Sequence, residues 1–157
     1  MPTVADALAR HPAFAGLSRA DLAEVAARCE HLRLPTGGVL FEEGAASAHL
    51  FVVLRGRLRV SCRASSGVQV VVGGAQGGDV VGEMGVLDGS ARSATLTAEG
   101  PVELLKMRGE ILTELVDGAH PAAAALLRVV RRQLVERVRE IDERVDAVFD
   151  MFGAGGE

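Results

Sequence analysis

The sequence predicts a mainly β protein: a sandwich or barrel of short strands, with short helices before it and one long helix after it. Three patterns carry this expectation. Between Leu32 and Met107 apolar residues recur with the period of strands, broken by glycine-containing turns. Ahead of that region, Thr3-x-x-Asp6 and Ser18-x-x-Asp21 each set a capping hydroxyl before an acid at a helix start. Behind it, from Leu127 to Phe152, apolar residues return at helical spacing.

In chain order, the second cap opens a helix running from about Arg19 to Glu30, with Leu22, Val25, Ala26 and Cys29 on one face. Between the two helices, Phe14 and Leu17 are expected to pack against the same core. Strands are expected at Val39 to Phe41, Leu50 to Leu54, Val68 to Val72, Ala94 to Thr97 and Val102 to Met107. Another is read where Leu58, Val60 and Cys62 alternate with Arg57, Arg59 and Ser61, a dry face and a wet one. Turns fall at Pro35 to Gly38, Glu43-Gly44, Arg55-Gly56 and Ser65 to Gly67. Glycines crowd the segment from Gly73 to Gly89; Gly73 and Gly74 read as a loose hairpin loop, whereas Gly82 and Gly85 flank the acid Glu83.

After Met107, Gly109 to Val116 suits a short helix stopped by Asp117-Gly118, and Pro121 suits the first turn of the last helix. Along that helix Leu127, Val130, Leu134, Val138, Ile141, Val145, Val148 and Phe152 form an extended apolar seam. Oppositely charged residues one turn apart, such as Arg132 and Glu136, support it.

The chain has 157 residues, 48% of them apolar, so one sizeable core is affordable. It contains no apolar run of about 18 residues, so no membrane span is expected, and its start lacks the pattern of a secretory signal. A cytoplasmic location follows as the expectation. The two cysteines, Cys29 and Cys62, sit in apolar patterns that suit packing rather than a disulfide or a metal site. A net charge of −4 advertises no nucleic-acid surface. The four histidines, His11, His31, His49 and His120, read as loop or helix-start residues without a nucleophile or metal ligand at a telling spacing, so no enzyme, metal or cofactor is expected.

The chemistry concentrates between Gly78 and Thr97. There Glu83 and Arg92 stand on either side of a glycine-rich turn and a short helix-capable run, with Ser93 beside the arginine. An arginine offers a planar fork of donors to phosphate oxygens. Backbone N–H groups at a helix start favour an anion, and a carboxylate can accept from a ribose hydroxyl. These residues read as equipment for a sugar phosphate.

The order Gly82-Glu83-Met84-Gly85-Val86-Leu87, then Asp88 to Ala91, then Arg92-Ser93-Ala94-Thr95, resembles the phosphate-binding cassette of cyclic nucleotide-binding domains, as in bacterial Crp/Fnr-type regulators and regulatory subunits of cyclic-AMP-dependent protein kinase. Gly44 and Gly56 match turn glycines of that family, and Gly77-Gly78-Asp79 stands where it often has Pro-Gly-Asp. The resemblance implies a jelly-roll barrel and a single domain over 1–157. Within it, residues 1–31 would hold the leading helices, 32–107 the barrel with the cassette at 78–97, and 109–152 the hinge and long helix.

It further implies a ligand site of Gly82, Glu83, Met84, Gly85, Arg92, Ser93 and Ala94, with Glu83 on the ribose 2′-hydroxyl and Arg92 on the cyclic phosphate. Cyclic AMP is the expected ligand, with cyclic GMP compatible. Where bacterial members commonly carry Thr-Ser facing the base, this chain has Glu136-Arg137, which makes Glu136 and Arg137 the candidates for a base lid. By the same resemblance the seam of the last helix implies a homodimer, the alternative being a helix packed only on its own barrel. Val86 and Leu87, repacking against the segment around Ile111, Leu112 and Leu115, would pass ligand occupancy to that helix and on to an unidentified partner protein. Two cysteines do not suit an iron–sulfur sensor. Residues 153–157 leave no room for a helix-turn-helix, which needs about 20 residues, so direct nucleic-acid binding is not expected. The rival expectations are a dimerisation or docking module of the same fold without ligand, and the sensor part of a Crp/Fnr-type transcription regulator.

Overall fold

The computed structural model describes residues 3–153; the first two and last four residues of the expected domain lie outside the described residues. The chain opens with α1 (Val4–Arg10), a 3-10 turn (Pro12–Phe14) and α2 (Arg19–Ala27). Thr3 caps α1 in a reciprocal capping box with Asp6, and the Ser18 hydroxyl accepts from the Asp21 N–H at 3.1 Å at the start of α2. Helix α2 ends at Ala27 rather than near Glu30, because Glu30 opens strand β1 (Glu30–Leu34), which the sequence reading did not foresee. There Glu30 lies opposite Lys106, so ladder pairing outweighs the helical phase of Cys29.

Seven further strands follow: β2 (Val39–Phe41), β3 (His49–Arg55), β4 (Arg57–Arg63), β5 (Gln69–Gln76), β6 (Val80–Val81), β7 (Thr95–Ala98) and β8 (Val102–Arg108). They pair antiparallel into two four-stranded sheets, ordered β1-β8-β3-β6 and β2-β7-β4-β5. This is the jelly-roll arrangement that the resemblance implies.

Strand β3 shows how the layers form. Its run Leu50-Phe51-Val52-Val53 is buried on both faces. Phe51 and Val53 face the second sheet, joining Leu58, Leu96, Val102 and Leu104. Leu50 and Val52 face the other way, with Leu105 and Met107, into a core closed by Leu8, Phe14, Leu22 and Val25. That outer core also receives α4 (Gly109–Asp117), through Ile111, Leu112 and Leu115, and the first half of α5 (Pro121–Gly153).

Three details depart from the sequence reading. Gly73 and Gly74 are not a loose loop but ladder residues of β5, opposite Val60 and Arg59. Ser61, expected on the wet face, is buried; a small side chain between Thr95 and Val71 on the neighbouring strands is shielded by them. His31 and His49 lie in strands rather than loops.

The long helix divides in two. Up to Gln133 it buries Ala122, Ala123, Ala125, Leu126, Val129 and Val130 against the core. Of the expected seam only Val130 takes part; Leu134, Val138, Ile141, Val145 and Val148 are exposed. Among the described residues no helix is long and apolar enough to cross a membrane.

Candidate ligand site at the cassette

Between Gly82 and Ser93 the chain makes one short helix, α3 (Glu83–Asp88), bounded by glycines in the left-handed region. Gly82 is required twice over: its φ is +77°, and a Cβ there would stand 2.6 Å from Arg92 Nη1. Gly85 is required by space, since a Cβ would collide with the Ser47 side chain and lie 2.7 Å from the Ser90 carbonyl. After α3, Asp88 holds the turn by accepting from the Ser90 N–H at 2.9 Å and from its hydroxyl at 2.6 Å. Those bonds keep the Asp88 carboxyl below its usual value.

The cassette forms one wall of a cavity of about 490 Å³. Gly82, Glu83, Met84, Gly85, Arg92, Ser93 and Ala94 all line it, as do Glu136 and Arg137 from α5. The sequence-expected residues thus converge, though unequally. Glu83, Gly85, Arg92 and Ala94 are buried, while Met84, Ser93, Glu136 and Arg137 are exposed at the rim.

Arg92 is fixed from several sides. Its N–H donates to the Ala45 carbonyl and its carbonyl accepts from the Gly44 N–H, both at 2.8 Å. Nη1 donates to the Gly82 carbonyl at 2.9 Å and Nη2 to the His49 carbonyl at 2.7 Å. The guanidinium stacks 4.1 Å from the Phe41 ring centroid. Burial pushes its pKa below the usual arginine value while the Glu83 carboxylate opposes that shift; an arginine so placed remains a cation.

Three residues that line this cavity each carry a buried polar atom without a hydrogen-bond partner: Arg92 Nε, Glu83 Oε1 and Ser47 Oγ. Arg137 Nη1 approaches Glu83 Oε1 at 3.7 Å, an ion pair but too long for a hydrogen bond. Buried polar groups are rarely left unpaired, each costing about 1–3 kcal/mol. A guanidinium, a carboxylate and a hydroxyl residue lining one cavity therefore suit a compact polar anion with its own hydroxyl.

Several lining residues escaped the sequence reading. Phe41 and Ser47 arrive from the segments flanking the Gly44 turn, Cys62 from β4, and Gln133 and Glu140 from α5. Gly73 and Gly74 leave the β5 wall open where side chains would fill the space, and they too line the cavity. Gln133 left a readable signal, since it continues the buried phase of Leu126, Val129 and Val130 yet is polar. The thiols of Cys29 and Cys62 are free; burial pushes that of Cys29 up to about 11.

Elsewhere, the fold brings His120 beside Asp21 and Glu24, a grouping the sequence spacing hid. Nε2 lies 3.2 Å from Glu24 and 3.7 Å from Asp21, while Nδ1 accepts from the Ala122 N–H at 3.1 Å. Because Nδ1 accepts, the neutral ring carries its proton on Nε2, pointed at the carboxylates. The grouping is a helix cap tied to α2, and a cation at Nε2 would have to displace that proton.

The family model described as "Cyclic nucleotide-binding domain" matches residues 31–118. The chain is 32% identical over 115 residues to the lysophospholipase nte1 of Aspergillus terreus, covering 73% of this chain but 7% of that protein. It is 24% identical over 127 residues to the CRP-like cAMP-activated global transcriptional regulator of Mycobacterium tuberculosis, covering 81% of this chain and 57% of that one. Among solved structures, the N-terminal domain of a transcriptional regulator from Streptomyces coelicolor A3(2) superposes with a TM-score of 0.65 at 31% identity, over 84% of this chain and 94% of that one.

Proposed function

The chain belongs to the cyclic nucleotide-binding domain family, and on that premise we propose that it is a regulatory binding module, not an enzyme, whose ligand is a cyclic nucleotide, cyclic AMP first and cyclic GMP second. The observation that carries this reading is that Arg92, Glu83 and Ser47, each with a buried polar atom lacking a hydrogen-bond partner, line one cavity. A guanidinium has five N–H donors, and two are committed to the Gly82 and His49 carbonyls. Nε–H and the remaining donors are left for the cyclic phosphate, with Ser93 at the same rim. Glu83 Oε1 accepts from the ribose 2′-hydroxyl. The base extends toward α5, where Glu136 and Arg137 close over it. The mycobacterial relative is a cAMP-activated regulator, which supports cyclic AMP as the first ligand.

Occupancy passes outward through α3 and α4. Val86 packs over Gly109, the first residue of α4, where an added Cβ would meet it at 3.0 Å, while Leu87 is exposed in this state and free to repack. Ligand that takes Glu83 also takes it from Arg137, and so biases α5 by differential affinity. The whole acts as one cytoplasmic unit, and the exposed second half of α5 joins two copies or docks on a protein partner. A second reading, the sensor part of a larger transcription regulator, is favoured by the 94% coverage of the Streptomyces domain.

Isothermal titration with cyclic AMP, cyclic GMP and non-cyclic AMP tests the ligand. Single-site binding of a cyclic nucleotide, with the non-cyclic one far weaker, is the expected result; flat titrations with all three contradict it.

A further inference from the structure

Gln133 is the buried polar residue of α5, and both ends of its carboxamide are engaged. Oε1 accepts from the Val80 N–H at 3.0 Å, and Nε2 donates to the Val80 carbonyl at 2.9 Å. The side chain thus pairs with one residue's N–H and C=O together, as the peptide groups of a neighbouring antiparallel strand would. Val80 belongs to β6, the edge of its sheet, with β3 on its inner side only. Gln133 supplies the missing neighbour on the outer side.

The position of this clamp bears on the ligand site. From Val80 the chain needs only Val81 and Gly82 to reach Glu83. Gly82 is held in turn through its carbonyl by Arg92 Nη1 at 2.9 Å. The segment that sets the Glu83 carboxylate is therefore pinned at both ends, by α5 through Gln133 and by the phosphate arginine. One helical turn beyond the clamp, Arg137 reaches Glu83 itself. An apolar residue in this phase of α5 would serve packing alone, as Val129 and Val130 do, but would leave both Val80 groups unpaired.

We infer that Gln133 is a positioning residue for ribose recognition: its carboxamide, clamped on the backbone of Val80, holds β6 and hence Glu83 where the carboxylate meets a ligand 2′-hydroxyl. The inference rests on the reading of the cavity as a cyclic nucleotide site and adds the residue that makes its sugar-facing half selective. Gln133 acts through Val80 and Glu83, and α5 thereby takes part in recognition before any motion occurs.

The test compares the affinity for cyclic AMP with that for its 2′-deoxy analogue, in the full chain, by calorimetry, at a temperature where circular dichroism shows each variant folded. For the unaltered protein the deoxy analogue is expected to bind roughly tenfold or more weakly, the value of a hydrogen bond to a charged group. In Gln133→Met, which keeps the volume and loses both bonds, that ratio is expected to fall to within about threefold of unity. Gln133→Glu, which still accepts from the Val80 N–H, is expected to fall between, and serves if the methionine variant does not fold. Leu126→Ala, a core change on α5 about two helical turns before Gln133, lowers stability but should leave the ratio as in the unaltered protein. A ratio unchanged in Gln133→Met and Gln133→Glu overturns the positioning role alone, as does an equal collapse in Leu126→Ala. Absence of cyclic nucleotide binding in the unaltered protein overturns the ligand reading beneath it.

Discussion

The two walls of the cavity are built differently. On the cassette wall Glu83 and Arg92 are 3% and 6% exposed, and backbone carbonyls hold the arginine before any ligand arrives. On the helix wall the side chains of Arg137 and Glu136 are 50% and 64% exposed and meet other charges only as loose pairs, at 3.7 and 3.9 Å. A buried, preorganised wall gives affinity, because its ordering cost is met in folding. A solvated wall gives little affinity but moves freely, which suits a lid. Gln133 stands at the border, buried like the cassette and carried by the helix.

The largest effect should come from the buried cation. Arg92→Ala is expected to weaken cyclic nucleotide binding by about 2–5 kcal/mol, roughly 30-fold to several thousandfold, in calorimetric titration. A variant that binds as tightly as the parent removes the cassette wall from the account. Glu83→Ala should cost less, about 1–3 kcal/mol, because one charge-assisted hydrogen bond is lost. Its loss should also erase the preference for the 2′-hydroxyl.

Arg137→Ala belongs to the solvated wall. It should change affinity by no more than about 1 kcal/mol, roughly fivefold, with the difference shrinking as salt rises. A loss rivalling that of Arg92→Ala would show that the helix wall is preorganised too.

Along the same helix, Ile141→Asp is expected to turn a dimer into monomers in analytical sedimentation. Its melting temperature, extrapolated to the monomer, should barely move, because Ile141 is exposed. A parent protein that sediments as a monomer at every concentration contradicts the dimer.

The smallest effect is a titration at the back of α5. Burial holds the His11 imidazole below its ordinary value of 6.5, with Arg132 reinforcing the shift and Asp79 opposing it. Burial likewise lowers His49. As pH falls through the ordinary range, the unfolded chain binds protons that the folded chain refuses. Stability from these groups is complete above about pH 6.5 and declines below it. Thermal melts in that window should show the decline, and His11→Asn should reduce it.

What could be read from the sequence divides along the same line. Local chemistry was legible: Thr3 and Ser18 as caps, Pro121 at the start of α5, and the ordered cassette from Gly82 to Thr95. Those signals lie within a few residues of each other, where spacing determines geometry. Strands β1 and β6 were not legible, because Glu30 and Val80 owe their states to partners far along the chain, Lys106 and Val52. The same holds for Gly73 and Gly74, which alone look loose but are ladder residues against β4. The seam of α5 was legible as a pattern, yet which stripe faces the protein's own core depends on how the barrel meets the helix. The stripe through Ala122, Leu126, Val129 and Gln133 took that place.

On the proposed function, the cavity lined by Glu83 and Arg92 takes a cyclic phosphate and its ribose. A crystal structure of the chain grown with cyclic AMP tests it most directly. Phosphate oxygens are expected within hydrogen-bond distance of the Arg92 guanidinium and the 2′-hydroxyl on the Glu83 carboxylate, with the Gly82 and His49 carbonyls still holding the guanidinium. Nucleotide bound with its phosphate away from Arg92, or an empty cavity at saturating ligand, would contradict it.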